Sequence, residues 1–235
     1  MIGLPVREPR TGRPGTGDVG LRFEMRSSSL PASVSEAQQE AAMTDVQVPR
    51  IEPLEPPYPD AVGETLRRMM PPDTEPLKLF RTVARNEHVL ERFRTIGAYL
   101  LNFGKLDPAD REVVLHRTCA RCGCEYEWGV HAAVFARGVG LSDEQLVATV
   151  SGDADDPVWS ARQSLLVRLA DELHDNADVS DQLWAGLAAH WTEEQLIELI
   201  AVAGFYHLVS FTANAARVEL ESFGERFPAV ASGTG

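Results

Sequence analysis

The 235 residues are enough for one ordinary folded unit of about 150–200 residues with a tail, and too few for more than two small ones. A formal net charge of −13 and a pI near 4.9 exclude nucleic acid and anionic membrane surfaces as main partners, because both gather basic patches. With 44% hydrophobic residues, the chain has the material for a buried core.

In chain order, residues 1–48 are rich in Gly, Pro, Ser and Arg and carry no apolar repeat able to bury a face. They are expected to form a disordered extension, with Met43 a second candidate start. Pro49 to Pro59 is punctuated by proline and predicts an extended stretch laid over the folded part. From about Asp60 the apolar spacing is helical, and nothing alternates as a strand would. Leu77, Phe80, Val83 and Ala84 give one stripe; Leu90, Phe93, Ile96, Gly97 and Leu100 give the next. Leu106-Asp107-Pro108 is a start signal, with Asp107 as N-cap and Pro108 at the first helical position. That helix carries Arg111 to Leu115 toward a break at Cys122-Gly123. The next should run from about Cys124 to Arg137 and stop at Gly138-Val139-Gly140.

Ser142 with Gln145, and Thr192 with Gln195, have capping-box spacing. Between them, Pro157 to His174 and Asp181 to His190 predict two helices, the first striped by Leu165, Leu166, Leu169 and Leu173. The last helix, about Glu193 to Phe223, is mostly apolar through its middle, as a central core helix should be. The expected fold class is all-α, with about six to nine helices and no sheet, spread over residues 49–228 with 229–235 as a flexible tail.

No stretch reaches the roughly 18 uninterrupted apolar residues that a membrane span needs, and the N-terminus lacks the compact apolar core of a secretory signal. The expectation is a soluble, cytoplasmic protein with no membrane partner. Cys119, Cys122 and Cys124 lie too close together to staple a secreted fold and suit a reactive site better. Cys119 and Cys122 have CxxC spacing, but zinc would want a second pair or a His pair at ligand spacing, so no metal is expected.

Cys124, Glu127 and His131 stand at i, i+3 and i+7, which on a helix places thiol, carboxylate and imidazole on one face. Cys124 would open its helix, where the dipole and unpaired N–H groups stabilise a thiolate. Glu112 lies on the preceding helix, and a helix-break-helix turn can fold its carboxylate back to orient the His131 ring and raise its basicity. Trp128, Tyr206 and His207 are the candidate substrate contacts, the latter two from another wall. His88, His116, His174 and His190 are expected at surfaces or helix ends, and Trp159, Trp184 and Trp191 as packing or interface residues.

The spacing Glu112, eleven residues, Cys124, two residues, Glu127, three residues, His131 resembles the signature of the carboxymuconolactone decarboxylase and alkylhydroperoxidase D family, whose peroxidase branch has a second cysteine where Glu127 stands. Leu106-Asp107 followed by Arg111-Glu112, the run Glu125 to His131, Gly140-Leu141-Ser142, and Gly204-Phe205-Tyr206 with Asn214-Ala215 are similar too, so the likeness spans roughly residues 55–225. It implies an alkylhydroperoxidase D-like helical bundle that assembles as a homo-oligomer, trimer or hexamer, and acts on a small molecule without metal or organic cofactor. A carboxylate at 127 cannot form the peroxidase branch's disulfide, so a dithiol cycle would need Cys119 or Cys122 as the resolving thiol. The favoured expectation is therefore acid–base chemistry, decarboxylation or isomerisation of a small carbonyl or lactone acid, with His131 moving the proton, Glu112 orienting it, and Glu127 and Cys124 as relay or substrate contacts. The rivals are a thiol-dependent peroxidase using Cys124 and a non-catalytic helical scaffold, whose sign would be a pocket too closed or too apolar for a polar substrate.

Overall fold

The computed structural model describes residues 48–229; the expectations for residues 1–47, including the start at Met43, and for 230–235 lie outside them. Among the described residues the chain is all-α: α1 (Asp60–Met69), α2 (Lys78–Val83), α3 (Glu87–Asn102), α4 (Pro108–Arg121), α5 (Glu125–Val134), α6 (Asp143–Ser151), α7 (Ala161–Asn176), α8 (Asp181–Ala188) and α9 (Glu193–Ala216), with a 3-10 turn at Ala136–Val139 between α5 and α6.

The caps follow the local chemistry. The Asp107 carboxylate accepts from the Ala109 N–H with Pro108 in the first turn, and both Ser142–Gln145 and Thr192–Gln195 close as reciprocal capping boxes. A third box, Ser160 with Gln163, starts α7 at Ala161, four residues beyond the predicted Pro157. The helix predicted from Cys124 to Arg137 divides at Phe135 into α5 and the 3-10 turn, and Gly140 ends the segment with a left-handed φ of 89°. The last helix stops at Ala216 rather than running to Phe223: Arg217 turns left-handed at φ 53° and the Val218 N–H bonds back to the Ala213 carbonyl.

The central position belongs to α4, not to the last helix. Residues Asp110 to Cys119 of α4 are all buried, with α5, α6, α7 and α9 packed around them. Val113, Val114 and Leu115 are fully enclosed, each contributing about 1.5–3 kcal/mol by leaving water. The charges this helix carries inward are paired: Asp110 with Arg162 at 2.5 Å and the Trp191 indole at 3.0 Å, and Arg117 with both oxygens of Asp171 at 2.7 and 3.0 Å. Among the described residues α9 is the one helix long and apolar enough to cross a membrane, but 56% of its most apolar stretch is buried inside the protein and it packs as a core helix on α4, α5, α3, α2 and α8. After α9 the chain doubles back over α5, where the Glu225 N–H reaches the Gly129 carbonyl at 3.0 Å and the Phe227 N–H reaches the Glu125 carboxylate at 2.8 Å.

Candidate active site

The α4–α5 junction sets the site. Cys122 caps α4, Gly123 takes a positive φ of 60° that a residue with a Cβ adopts at a cost, and the Cys124 N–H returns to the Cys119 carbonyl at 2.8 Å. The reversal lays α5 against α4, so that Glu112 faces His131. Glu112 Oε2 is 2.9 Å from His131 Nδ1, and its Oε1 accepts from the Arg111 guanidinium at 3.3 Å. On its other side, His131 Nε2 stands 3.4 Å from Glu127 Oε1 and 3.3 Å from the Tyr206 hydroxyl, which α9 supplies. The result is a buried line of charges from Arg111 through Glu112 and His131 to Glu127, with Tyr206 at its end.

Burial opposes charge on Glu112, but the facing His131, its hydrogen bond, His116 and Arg111 outweigh it and hold the carboxyl below its usual range. Burial likewise works against protonation of His131; the charge and hydrogen bond of Glu112, joined by Glu127, win and raise it to about 9. At neutral pH His131 is therefore an imidazolium. Its Nδ1–H donates to Glu112, and its Nε2–H is shared between Glu127 and the Tyr206 oxygen. Burial pushes the Tyr206 phenol well above its ordinary value, with Glu127 and Glu112 acting the same way, so it stays a neutral donor.

The imidazole of His116, one turn along α4 from Glu112, was expected at a surface and is fully buried instead. Its Nδ1–H donates to the Glu112 carbonyl at 2.8 Å, and burial first, opposed by the Glu112 charge, lowers its pKa to about 4. It is a neutral packing partner lying edge-on to both Trp128 and His131. The signal that could have found it was its i+4 spacing from Glu112 on a helix that is buried all round.

A cavity of about 50 Å³ opens beside this cluster, walled by apolar side chains that include Leu79, Phe93, Leu101, Phe135 and Phe205. Its polar end is made by Glu127, His131 and Tyr206. Arg94 also lines it, but its guanidinium is held by the Glu91 carboxylate at 2.6 and 3.0 Å.

The structure thus brings together Glu112, Glu127, His131 and Tyr206. Cys124 lies next to them, with its sulfur receiving the Glu127 backbone N–H, yet the thiolate expected at this helix start is overturned: burial dominates and pushes the thiol up to about 12. Trp128 does not line the cavity; it is turned away, its indole N–H donates to Thr149 Oγ1 at 2.9 Å, and its ring packs on Phe227. His207 is also absent from this wall, standing instead against His174 with ring centroids 5.2 Å apart.

A model of the carboxymuconolactone decarboxylase family matches residues 87–172, which hold Glu112, Cys124, Glu127 and His131 but not Tyr206. No curated protein matches the chain in sequence. Several solved structures share the fold. An uncharacterized peroxidase-related protein from Silicibacter sp. TM1040 superposes with a TM-score of 0.64 at 17% identity, over 76% of this chain and 96% of that one. A protein of unknown function from Agrobacterium tumefaciens, suggested to be the antioxidant defence protein AhpD, gives 0.54 at 16% identity, over 58% and 93%. The debrominase Bmp8 gives 0.55 at 15% identity, over 74% and 92%. Residues 87–172 thus match the carboxymuconolactone decarboxylase family model, and the described residues share the helical fold of an AhpD-like structure.

Proposed function

We propose that this protein is an acid–base enzyme that moves a proton at a carbon next to a carbonyl in a small, mostly apolar substrate. The observation that carries the reading is the cavity's polar end, where a carboxylate, an imidazolium and a neutral phenol converge on one side of an apolar space. Glu127 takes the proton from carbon, and the electron pair passes to the carbonyl oxygen. The Tyr206 hydroxyl donates to that oxygen, and the adjacent His131 cation stabilises its charge. Glu127 then returns the proton to another carbon of the same system, leaving an isomer and a restored carboxylate. Glu112 does not reach substrate; it keeps His131 protonated and in place.

Isomerisation fits these walls better than decarboxylation. A substrate carboxylate would enter beside Glu127 and Glu112; of the two cations in the cavity wall, His131 is already paired with those carboxylates and Arg94 with Glu91. The volume of about 50 Å³ is well below the roughly 300–1,000 Å³ of drug-sized ligand pockets, so the substrate has few heavy atoms. The same tightness favours the non-catalytic scaffold as the second reading. Peroxide reduction through Cys124 is weighed against by a thiol held protonated and out of solvent.

The test is a panel of small ketones and enones in D2O, with carbon-bound proton exchange followed by NMR. Wild-type protein should catalyse exchange, and Glu127→Gln and His131→Gln should lower the rate by about 10²–10⁴-fold. Failure of the wild type across the panel would leave the scaffold reading standing, whereas hydroperoxide consumption lost in Cys124→Ser would restore the peroxidase.

A further inference from the structure

On the far side of the α4 C-terminus, three side chains from three helices converge outside the cavity. Cys122 caps α4, His174 lies in the last turn of α7, and His207 projects from the middle of α9. His174 Nδ1 is 3.0 Å from His207 Nε2 and 3.8 Å from Cys122 Sγ, and the three atoms all lie within 4.8 Å of one another. All three residues are half-buried, open enough for an ion to reach and enclosed enough to hold one.

The second nitrogen of His207 explains why its lone pair points at this spot. Its Nδ1–H donates to the Ala203 carbonyl at 2.8 Å, which leaves Nε2 unprotonated and aimed at His174. A backbone carbonyl behind a ligating imidazole is the usual way of fixing tautomer and ring orientation in metal sites. With metal–nitrogen bonds of about 2.0–2.1 Å and a metal–sulfur bond of about 2.3 Å, tetrahedral ligands sit about 3.4 Å apart for two nitrogens and about 3.6 Å apart for nitrogen and sulfur. The 3.0 and 3.8 Å separations are within a few tenths of an ångström of those values. Asn214 donates to the Cys122 carbonyl at 2.9 Å and pins the α4 end to α9. Arg121, the neighbouring cation, is engaged by Asp175 at 2.5 Å and Asp171 at 3.7 Å.

We propose that Cys122, His174 and His207 form a three-ligand site for a borderline-soft divalent cation, Zn2+ above all, with a fourth position open to water. One thiolate and two imidazoles select such an ion over Mg2+ or Ca2+, which take oxygen ligands. Binding releases the Cys122 proton to solvent, the proton that His174 Nδ1 donates to His207 Nε2 moves to the other nitrogen of the His174 ring so that Nδ1 can ligate, and no electron is transferred. The ion would clasp α4, α7 and α9 together. The site departs from the metal-free expectation of the sequence, where the CxxC pair had no visible partners, and it is independent of the acid–base cavity.

The experiment is a titration of the reduced full-length protein with Co2+, then Zn2+. One Co2+ per chain should bind, with the near-ultraviolet thiolate-to-cobalt band and the visible bands of a four-coordinate ion, and Zn2+ should displace it. Cys122→Ser should remove the thiolate band while Cys119→Ser keeps it, and His207→Gln should weaken binding by roughly tenfold or more, the least that losing even an outer-sphere partner costs. In the unaltered protein Zn2+ should also slow alkylation of Cys122, read by mass spectrometry. A missing thiolate band, a band that survives Cys122→Ser, or Cys122 alkylation indifferent to Zn2+ would each overturn the assignment.

Discussion

Glu112 and His131, nineteen residues apart on consecutive helices, meet at 2.9 Å with the carboxylate fully buried and the imidazole almost so. Each holds the other charged where burial alone would make both neutral, and this mutual dependence governs what the site can do.

Replacing Glu112 by glutamine keeps the shape and removes the charge. Burial then acts on His131 against Glu127 alone, and its pKa should fall from about 9 toward or below neutrality. The alkaline limb of the exchange activity should move down with it and the maximal rate should drop by about 10²-fold or more. Nitrogen-15 NMR of the His131 ring across pH checks the shift; a limb and titration that stay put would deny Glu112 its positioning role.

Stability should peak near pH 6.5, and the signs can be worked out from two histidines. His131 is raised from 6.5 to about 9 in the fold, so its contribution is complete below 6.5 and is lost as pH climbs through 9. His116 is lowered from 6.5 to about 4, so the fold loses ground as pH drops from 6.5 through 4, where the unfolded chain binds the proton and the native one does not. Glu112, lowered in the fold, steepens the loss below its ordinary 4.5. Urea midpoints between pH 4 and 9 should trace a dome; a stability still rising at pH 8 would contradict the imidazolium.

Thiol reactivity should rank by burial. Cys122 is half-buried, whereas Cys119 and Cys124 have no exposure and thiols pushed far up. Brief alkylation of the native, metal-free protein should mark Cys122 first, and Cys124→Ser should retain proton-exchange activity within about threefold, since the pathway does not use it. Peptide mapping by mass spectrometry decides, and early labelling of Cys124 would reopen the thiol mechanism.

Gly129 is where the returning C-terminal segment touches α5. A Cβ there would stand 2.1 Å from the Glu225 carbonyl oxygen, while one at Gly224 would come no nearer than 3.4 Å to any neighbour. Gly129→Ala should therefore cost about 1–3 kcal/mol, lowering Tm by roughly 2–12 °C at about 2–4 °C per kcal/mol for a chain of this size. Gly224→Ala should be nearly silent, and differential scanning calorimetry of the pair gives the comparison.

The apolar stripe on α9, Ile197, Ile200, Leu208 and Phe211, remains exposed, and Ile96 and Tyr99 on α3 and Phe103 just past its end are exposed as well. Leu208 and Ile96 share one apolar groove. We propose that further copies of this chain cover this face, as the family resemblance implies. Light scattering should find an oligomer that Ile197→Lys with Phe211→Lys dissociates; a wild-type monomer at micromolar concentration would remove the proposal.

Helix class, caps and the Glu127–His131 pair were legible in the chain because each depends on spacing within a turn or two: Asp107 before Pro108, Ser142 three residues from Gln145, Glu127 four residues from His131. Glu112, nineteen residues from His131, was legible only through the helix break at Cys122-Gly123 and the family-like spacing. What spacing leaves open is direction and depth. Trp128 and His207 each follow a site residue by one position, which rotates them about 100° around their helices and out of the cavity. Cys124 has the local setting of a thiolate, but closure of α4, α5 and α9 over it removes the water that would solvate the charge, and long-range burial overrides the local dipole. Cys122, His174 and His207 are far apart in sequence and belong to no motif, so only the packing of α4, α7 and α9 could bring them within reach of one ion.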